Sequence, residues 1–237
     1  MADLKKYKMF IDGEWIDSES KKAFKTLNPE TNEPWAEVPE ASEKDVDKAV
    51  KAAQKAFDGT WPNLFPRERA KYLKAIAEQL RRNAELLGKI ETIDTGKLFK
   101  ETKTQANYIA EYYDYYAGLA DKVEGTVLPI DKANMQVITT RVPIGVVAAI
   151  IPWNSQMLLT AVKLAPALAM GNTVVIKSSE LAPATLFEFA KLIEKVGIPK
   201  GVVNIVSGFG EPCGKALTSH KLVERVAFTG GPETARH

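Results

Sequence analysis

Residues 144–180 read IGVVAAIIPWNSQMLLTAVKLAPALAMGNTVVIKSSE, and this stretch decides the fold. IGVVAAII is an apolar run of strand length, the kind that lies buried on both faces of a sheet. The next segment predicts a helix from about Gln156 to Met170, closed by Gly171, with Pro166 expected to kink or shorten it. TVVIK is a second buried strand. Downstream come a helix from Pro183 to Val196 closed by Gly197, a third strand VVNIV, a short helix after GFGEPCG, and a fourth strand RVAF. Strand–helix alternation at this pitch needs right-handed crossovers, which means an open parallel α/β sheet with helices on both faces.

Toward the N-terminus, YKMFIDGEWID alternates around Asp12-Gly13, a hairpin signal. Ser42-Glu43-Lys44-Asp45 has the pattern of a capping box, and Val46, Ala49, Val50, Ala53 and Phe57 then fall on one helical face. Pro66 announces a second helix carrying Leu73, Ile76, Ala77 and Leu80. A third carries Ile109, Tyr112, Tyr113, Tyr116 and Leu119, its tyrosines expected in interhelix packing rather than a ligand cage. Gly125–Val142 is different: TVLPI and MQVITTRV flank DKAN, a long hairpin with apolar residues on more than one face. An isolated two-stranded ribbon is marginal in water, so either its own domain or a second subunit must cover it. There is no internal repeat, low-complexity tract or flexible linker.

Charge is nearly balanced, 32 Lys+Arg against 30 Asp+Glu, which gives no reason to expect nucleic acid or an anionic membrane as partner. One cysteine, Cys213, excludes an intrachain disulfide framework, and two histidines, His220 and His237, argue against a zinc site. MADLKKYKMFIDGEW lacks the apolar centre of a signal peptide, and the run Ile144–Trp153 is too short to span a bilayer. A soluble, cytoplasmic protein is the expectation.

Ligands of open parallel sheets bind beyond the carboxyl ends of the strands. Four segments should meet there: Pro152-Trp153-Asn154-Ser155, Lys177-Ser178-Ser179-Glu180, Gly208-Phe209-Gly210 and Thr229-Gly230-Gly231. Asn154 is either a helix N-cap or an amide donor to an oxyanion developing on a carbonyl substrate. Lys177 and Glu180 are either a solvated pair or the donor and acceptor for a ribose diol. Gly208, Gly210 and Gly214 are either turn residues or a place where backbone approaches a pyrophosphate. Their spacing, G-x-G-x-x-x-G, misses the common dinucleotide fingerprint and points to a variant mode. Cys213 is expected to be structural, since His220 falls near the far end of the short helix after it.

Taken in order, IIPWNSQMLLTAVKLAPALAMGNTVVIKSSE, GVVNIVSGFGEPCG and KLVERVAFTGG resemble the cofactor domain of the aldehyde dehydrogenase superfamily. The resemblance continues upstream through NPETNEPWAEVPEASEKDVDKAVKAAQKAF and YYAGLADKVEG. It implies a variant Rossmann domain over 1–124 and 143–237, an oligomerisation hairpin over 125–142, and NAD(P)-dependent oxidation of an aldehyde by a homo-oligomer. It implies Asn154 in the oxyanion hole and Lys177 and Glu180 on the adenosine ribose. Gly210 and Gly214 would lie on the adenine side, with Ile150, Ile151, Pro152 and Trp153 at the strand end against the cofactor. Phe228, Thr229, Gly230 and Gly231 would lie near the pyrophosphate and nicotinamide.

Departures qualify this. Gly231-Pro232 replace a common Ser-Thr pair, and Ser178 replaces the proline usual after the ribose lysine. Glu180 would repel a 2′-phosphate, which favours NAD, with NADP the alternative. Ser155-Gln156 stand where an aromatic is common, implying a wider and more polar substrate mouth. The family's glutamate and cysteine both lie downstream of FTGG, so the catalytic domain is expected to be absent and the chain alone inactive. Alternatives are an inactive fragment that binds nucleotide or intact subunits, and an acylating semialdehyde dehydrogenase or acyl-phosphate reductase on the same scaffold.

Overall fold

The computed structural model describes residues 4–236, so His237 and the first three residues of the leader reading lie outside it. β1 (Lys5–Lys6) leads into a hairpin of β2 (Met9–Ile11) and β3 (Glu14–Ile16). Asp12 and Gly13 close it at φ 54° and 72°, the pair of left-handed residues that a tight hairpin turn demands. β4 (Ala23–Asn28) and β5 (Glu33–Pro39) follow and form, with β1, a three-stranded sheet in the order β1-β5-β4. That small sheet is a departure from the sequence expectation.

Helix α1 (Glu43–Phe57) begins with the expected capping box: Ser42 N donates to Asp45 Oδ2 at 2.7 Å and Asp45 N donates to Ser42 Oγ at 3.4 Å. A cap of this kind stabilises a helix by about 1 kcal/mol. α2 (Pro66–Arg82) runs almost directly into α3 (Ala84–Thr95), Asn83 serving both ends, and α4 (Phe99–Leu119) returns alongside. Tyr113 is buried and its burial raises the phenol well above its usual range, while Tyr112 and Tyr116 pack at the edge of the core.

The 125–142 hairpin consists of β6 (Val127–Leu128) and β7 (Val137–Ile138), paired as Val127 with Ile138 and Leu128 with Val137. Every residue of 125–142 except Val137 is exposed, so its own domain does not cover it. Then come β8 (Val146–Ile150), α5 (Gln156–Ala169), β9 (Thr173–Lys177), α6 (Ala184–Val196), β10 (Val203–Val206), α7 (Lys215–Thr218), β11 (Val223–Phe228) and α8 (Pro232–Ala235).

The large sheet has the order β11-β8-β9-β10-β2-β3, its first four strands parallel and the N-terminal hairpin added antiparallel beside β10. Period-2 alternation divides its side chains between two cores. Val146, Ala148, Val175 and Val206 meet Val46, Ala49, Val50 and Ala53 of α1 on one face. Val147, Ala149, Val174, Ile176 and Ile205 meet α2, α4, α5 and α6 on the other. Pro166 does not shorten α5, which continues to Ala169. Val162, whose carbonyl Pro166 cannot serve, lines an open groove with it and so is not sealed in the core. Among the described residues, no helix is long and apolar enough to cross a membrane.

Candidate functional site

The carboxyl ends of the parallel strands finish level with one another: Phe228 pairs with Ile150, Ile150 with Lys177, and Lys177 with Val206. Backbone bonds carry the row one residue further. Thr229 N donates to Ile150 O at 3.3 Å, Ile151 N to Lys177 O at 3.1 Å, and Ser178 N to Val206 O at 3.0 Å. All four segments expected at this rim are therefore brought to one edge.

Lys177 is 5% exposed, and its Nζ donates to Ser178 O at 3.0 Å and to Glu180 Oε2 at 3.4 Å. Its methylenes lie against Gly214, where an added Cβ would sit 3.7 Å from Lys177 Cδ and Cε. A Cβ on Gly210 would meet nothing within 4 Å. Beside them opens a cleft of about 580 Å³ lined by Ile150, Gly210, Glu211, Lys215, Thr218, Val226, Phe228, Thr234 and Ala235. Ile150, Gly210 and Phe228, all expected near a cofactor, thus share one cleft. Gly230 matters for a local reason: a Cβ there would strike the Phe228 ring at 2.5 Å.

Other expected residues are placed differently. Ile151 is buried beneath the rim, while Trp153 is 50% exposed. Asn154 sits exposed on a single 3-10 turn, Trp153–Ser155, before α5. It caps nothing: the cap position of α5 is Ser155, without a side-chain cap bond. The Thr229 hydroxyl turns away from the 580 Å³ cleft and accepts from Lys163 Nζ at 2.6 Å. Both residues line a second groove of about 900 Å³ between α5 and β11. Lys163, whose ammonium burial disfavours, was not singled out from the sequence; only its long-range contact with Thr229 reveals it.

Cys213 is sealed, and burial pushes its thiol up to about 12. Gly208 turns tightly over it, since a Cβ there would lie 2.8 Å from Cys213 Cβ. His220 is engaged elsewhere: Nδ1 accepts from Leu222 N at 3.1 Å and Nε2 faces Asp47 Oδ1 at 3.3 Å. No Cys–His pair exists between them.

A model described as the aldehyde dehydrogenase family matches residues 15–237. The chain belongs to the aldehyde dehydrogenase family. One relative, the (Z)-2-((N-methylformamido)methylene)-5-hydroxybutyrolactone dehydrogenase of Acinetobacter baylyi, is 51% identical over 235 residues, 99% of this chain and 48% of the relative. The betaine aldehyde dehydrogenase of Bacillus subtilis is 45% identical over 231 residues, 96% of this chain and 47% of its own length. A crystal structure of Staphylococcus aureus betaine aldehyde dehydrogenase in complex with NAD+ superposes with TM-score 0.94 at 38% identity, covering 97% of this chain and 46% of that one. This aldehyde dehydrogenase chain thus spans about half the length of the relatives it matches.

Proposed function

We propose that this chain carries the NAD site of an aldehyde dehydrogenase and its oxyanion-holding amide, with aldehyde-to-carboxylate oxidation as the reaction it serves. One observation carries the reading: Lys177 and Glu180 stand at the aligned strand ends, Lys177 packed on Gly214, on a rim where Gly210 leaves open space. The residues fit the cofactor, because Gly210 leaves room for a nucleotide and the Lys177–Glu180 pair offers complementary groups to a ribose diol. Lys177 Nζ, held by Ser178 O and Glu180, retains donor capacity for one hydroxyl. The Glu180 carboxylate accepts from the other and repels a 2′-phosphate, which selects NAD over NADP. The cleft is within the usual range of small-molecule sites, about 300–1,000 Å³. Bound NAD would supply the hydride acceptor.

The Asn154 amide is exposed and free of hydrogen bonds to the described residues, so both its N–H groups can serve an oxyanion. Cys213 supplies no nucleophile, because it is sealed in the core. The 237-residue chain by itself therefore oxidises no aldehyde. Residues 1–124 and 143–237 act as the cofactor domain. The hairpin over 125–142 is the contact with a second subunit, a role supported by its exposed Val127, Ile138 and Val142.

Calorimetric titration with NAD tests the site. Lys177→Met should weaken binding by about 10- to 100-fold, the loss of one charge-assisted bond. Glu180→Gln should narrow the preference for NAD over NADP. Equal NAD affinity in wild type and Lys177→Met would sink the proposal.

A further inference from the structure

The 3-10 turn that carries Asn154 has little of its own to hold it. Trp153 and Asn154 are exposed, and Ser155 leaves helical geometry at φ −163° and ψ 65°. Among the described residues, one side-chain hydrogen bond reaches residues 152–155: Lys97 Nζ donates to Ser155 Oγ at 2.5 Å.

Lys97 is well placed to do this. It follows Gly96, the left-handed residue at φ 76° that closes α3, and its N–H donates to Thr95 Oγ1 at 3.4 Å. Its ammonium lies 3.6 Å from Glu91 Oε1, and the Glu91 side chain is 1% exposed. Glu91 Oε1 has no hydrogen-bond partner of its own; the Lys97 cation offsets part of its burial, which still pushes the carboxyl above its usual range. A buried carboxylate thus fixes the ammonium from behind, and the ammonium spends a donor on the Asn154 turn in front.

We propose that Lys97, backed by Glu91, is a positioning residue for Asn154, clamping the Trp153–Ser155 turn through the Ser155 hydroxyl. The proposal rests on the reading of Asn154 as the oxyanion donor. An amide must be held to within about 0.5 Å of its productive place to stabilise a developing oxyanion. A solvent-exposed turn without a tether would not achieve that. Ser155 then has a reason to be a serine: an aromatic side chain there could not accept from Lys97.

Trp153 shares the turn and reports on it. The protein has four tryptophans. Labelling with 5-fluorotryptophan gives one fluorine line for each, and Trp153→Phe assigns the line of interest. Ser155→Ala cuts only the tether and leaves the Glu91–Lys97 pair intact, so it should move or broaden the Trp153 line by more than its width. Lys97→Met should do the same, and Lys97→Arg, which still donates, should restore the wild-type position. The lines of Trp15, Trp35 and Trp61 should stay in place in every variant, which separates a local release from unfolding. A Trp153 line unchanged in both Ser155→Ala and Lys97→Met overturns the clamp. The same holds if all four lines move together with Ser155→Ala. Failure of the oxyanion reading would look different: undiminished turnover with Asn154→Ala in an aldehyde-oxidising polypeptide that contains this chain. That result would remove the function assigned to the clamp while leaving the fluorine shifts as expected.

Discussion

Replacing Asp94 with asparagine should change how stability depends on pH. Asp94 ends α3, is 3% exposed, and crosses to α6, where its Oδ2 accepts from Ala184 N at 2.7 Å. Its Oδ1 accepts from Thr26 Oγ1 of β4 at 3.0 Å. The α6 cap position is Pro183, which offers no capping oxygen, so Asp94 caps that helix from another element just beyond Glu180. Burial opposes the charge more than these bonds favour it, raising the carboxyl from 3.8 to about 7. In the unfolded chain the group ionises near its ordinary value. Folding at a pH between that value and about 7 therefore takes up a proton. Stability is fullest below 3.8, falls as pH rises through this window, and levels off above about 7. At about 1.4 kcal/mol per pH unit, the loss has a ceiling of about 4 kcal/mol. Asparagine carries no charge and keeps one acceptor oxygen for the two donors. Near pH 4 the folded wild-type group is largely protonated and, like asparagine, has one carbonyl oxygen. The variant should be less stable there by about 1 kcal/mol or less, because an amide nitrogen replaces a hydroxyl oxygen that can still accept. By about pH 8 the difference should shrink or reverse. Urea unfolding at several pH values measures it, and the titrations of all other carboxylates cancel between the two proteins. A difference that stays constant from about pH 4 to 8 would refute the argument.

Gly210→Val should leave stability within about 0.5 kcal/mol, since its Cβ would meet nothing within 4 Å, yet should weaken NAD binding measured by calorimetry. Retained affinity would mean that no ligand backbone approaches there. Cys213, buried with its thiol raised to about 12, should resist Ellman's reagent in the native protein and react once urea unfolds it; rapid native labelling would contradict the burial. Val127→Asp with Ile138→Asp places like charges directly opposite in the 125–142 ladder and on its exposed face. Sedimentation velocity should show less self-association than in wild type, and an unchanged distribution would remove the hairpin from the subunit contact.

Much of the fold was legible because its signals are local. IGVVAAII, TVVIK, VVNIV and RVAF are short apolar runs bounded by polar, proline or glycine residues, and each became a parallel strand. Asp12-Gly13 and the Ser42–Asp45 box are chemistry complete within four residues. The small sheet was hidden because β5 begins and ends near Pro34 and Pro39, residues that ordinarily argue against a strand. It escapes that rule because β1 pairs only with Ala36 and Glu37, so Pro34 and Pro39 lie where β5 has a ladder partner on one side alone. Helix α3 was hidden because Asn83 both ends α2 and begins it, leaving no break in composition.

The candidate site divides along the same line. Lys177, Glu180, Gly210 and Gly214 were legible because strand order sends them to one edge, and register then places Lys177 level with Ile150 and Phe228. What holds the rim in place was not legible. Asp94 reaches α6 across 90 residues, Lys163 reaches Thr229 across 66, and Lys97 reaches Ser155 across 58. None of these side chains sits in a pattern, because the property that matters is where a distant segment passes. A lysine one residue beyond a left-handed glycine is unremarkable until a buried glutamate is found behind it and an untethered turn in front. The groups that would bind a cofactor can thus be read from strand ends, whereas the groups that hold them still become visible only when the chain has folded back on itself. Substitutions at Lys97, Asp94 and Lys163 should therefore alter the site as much through its geometry as substitutions at Lys177 would through the ribose contact proposed for it.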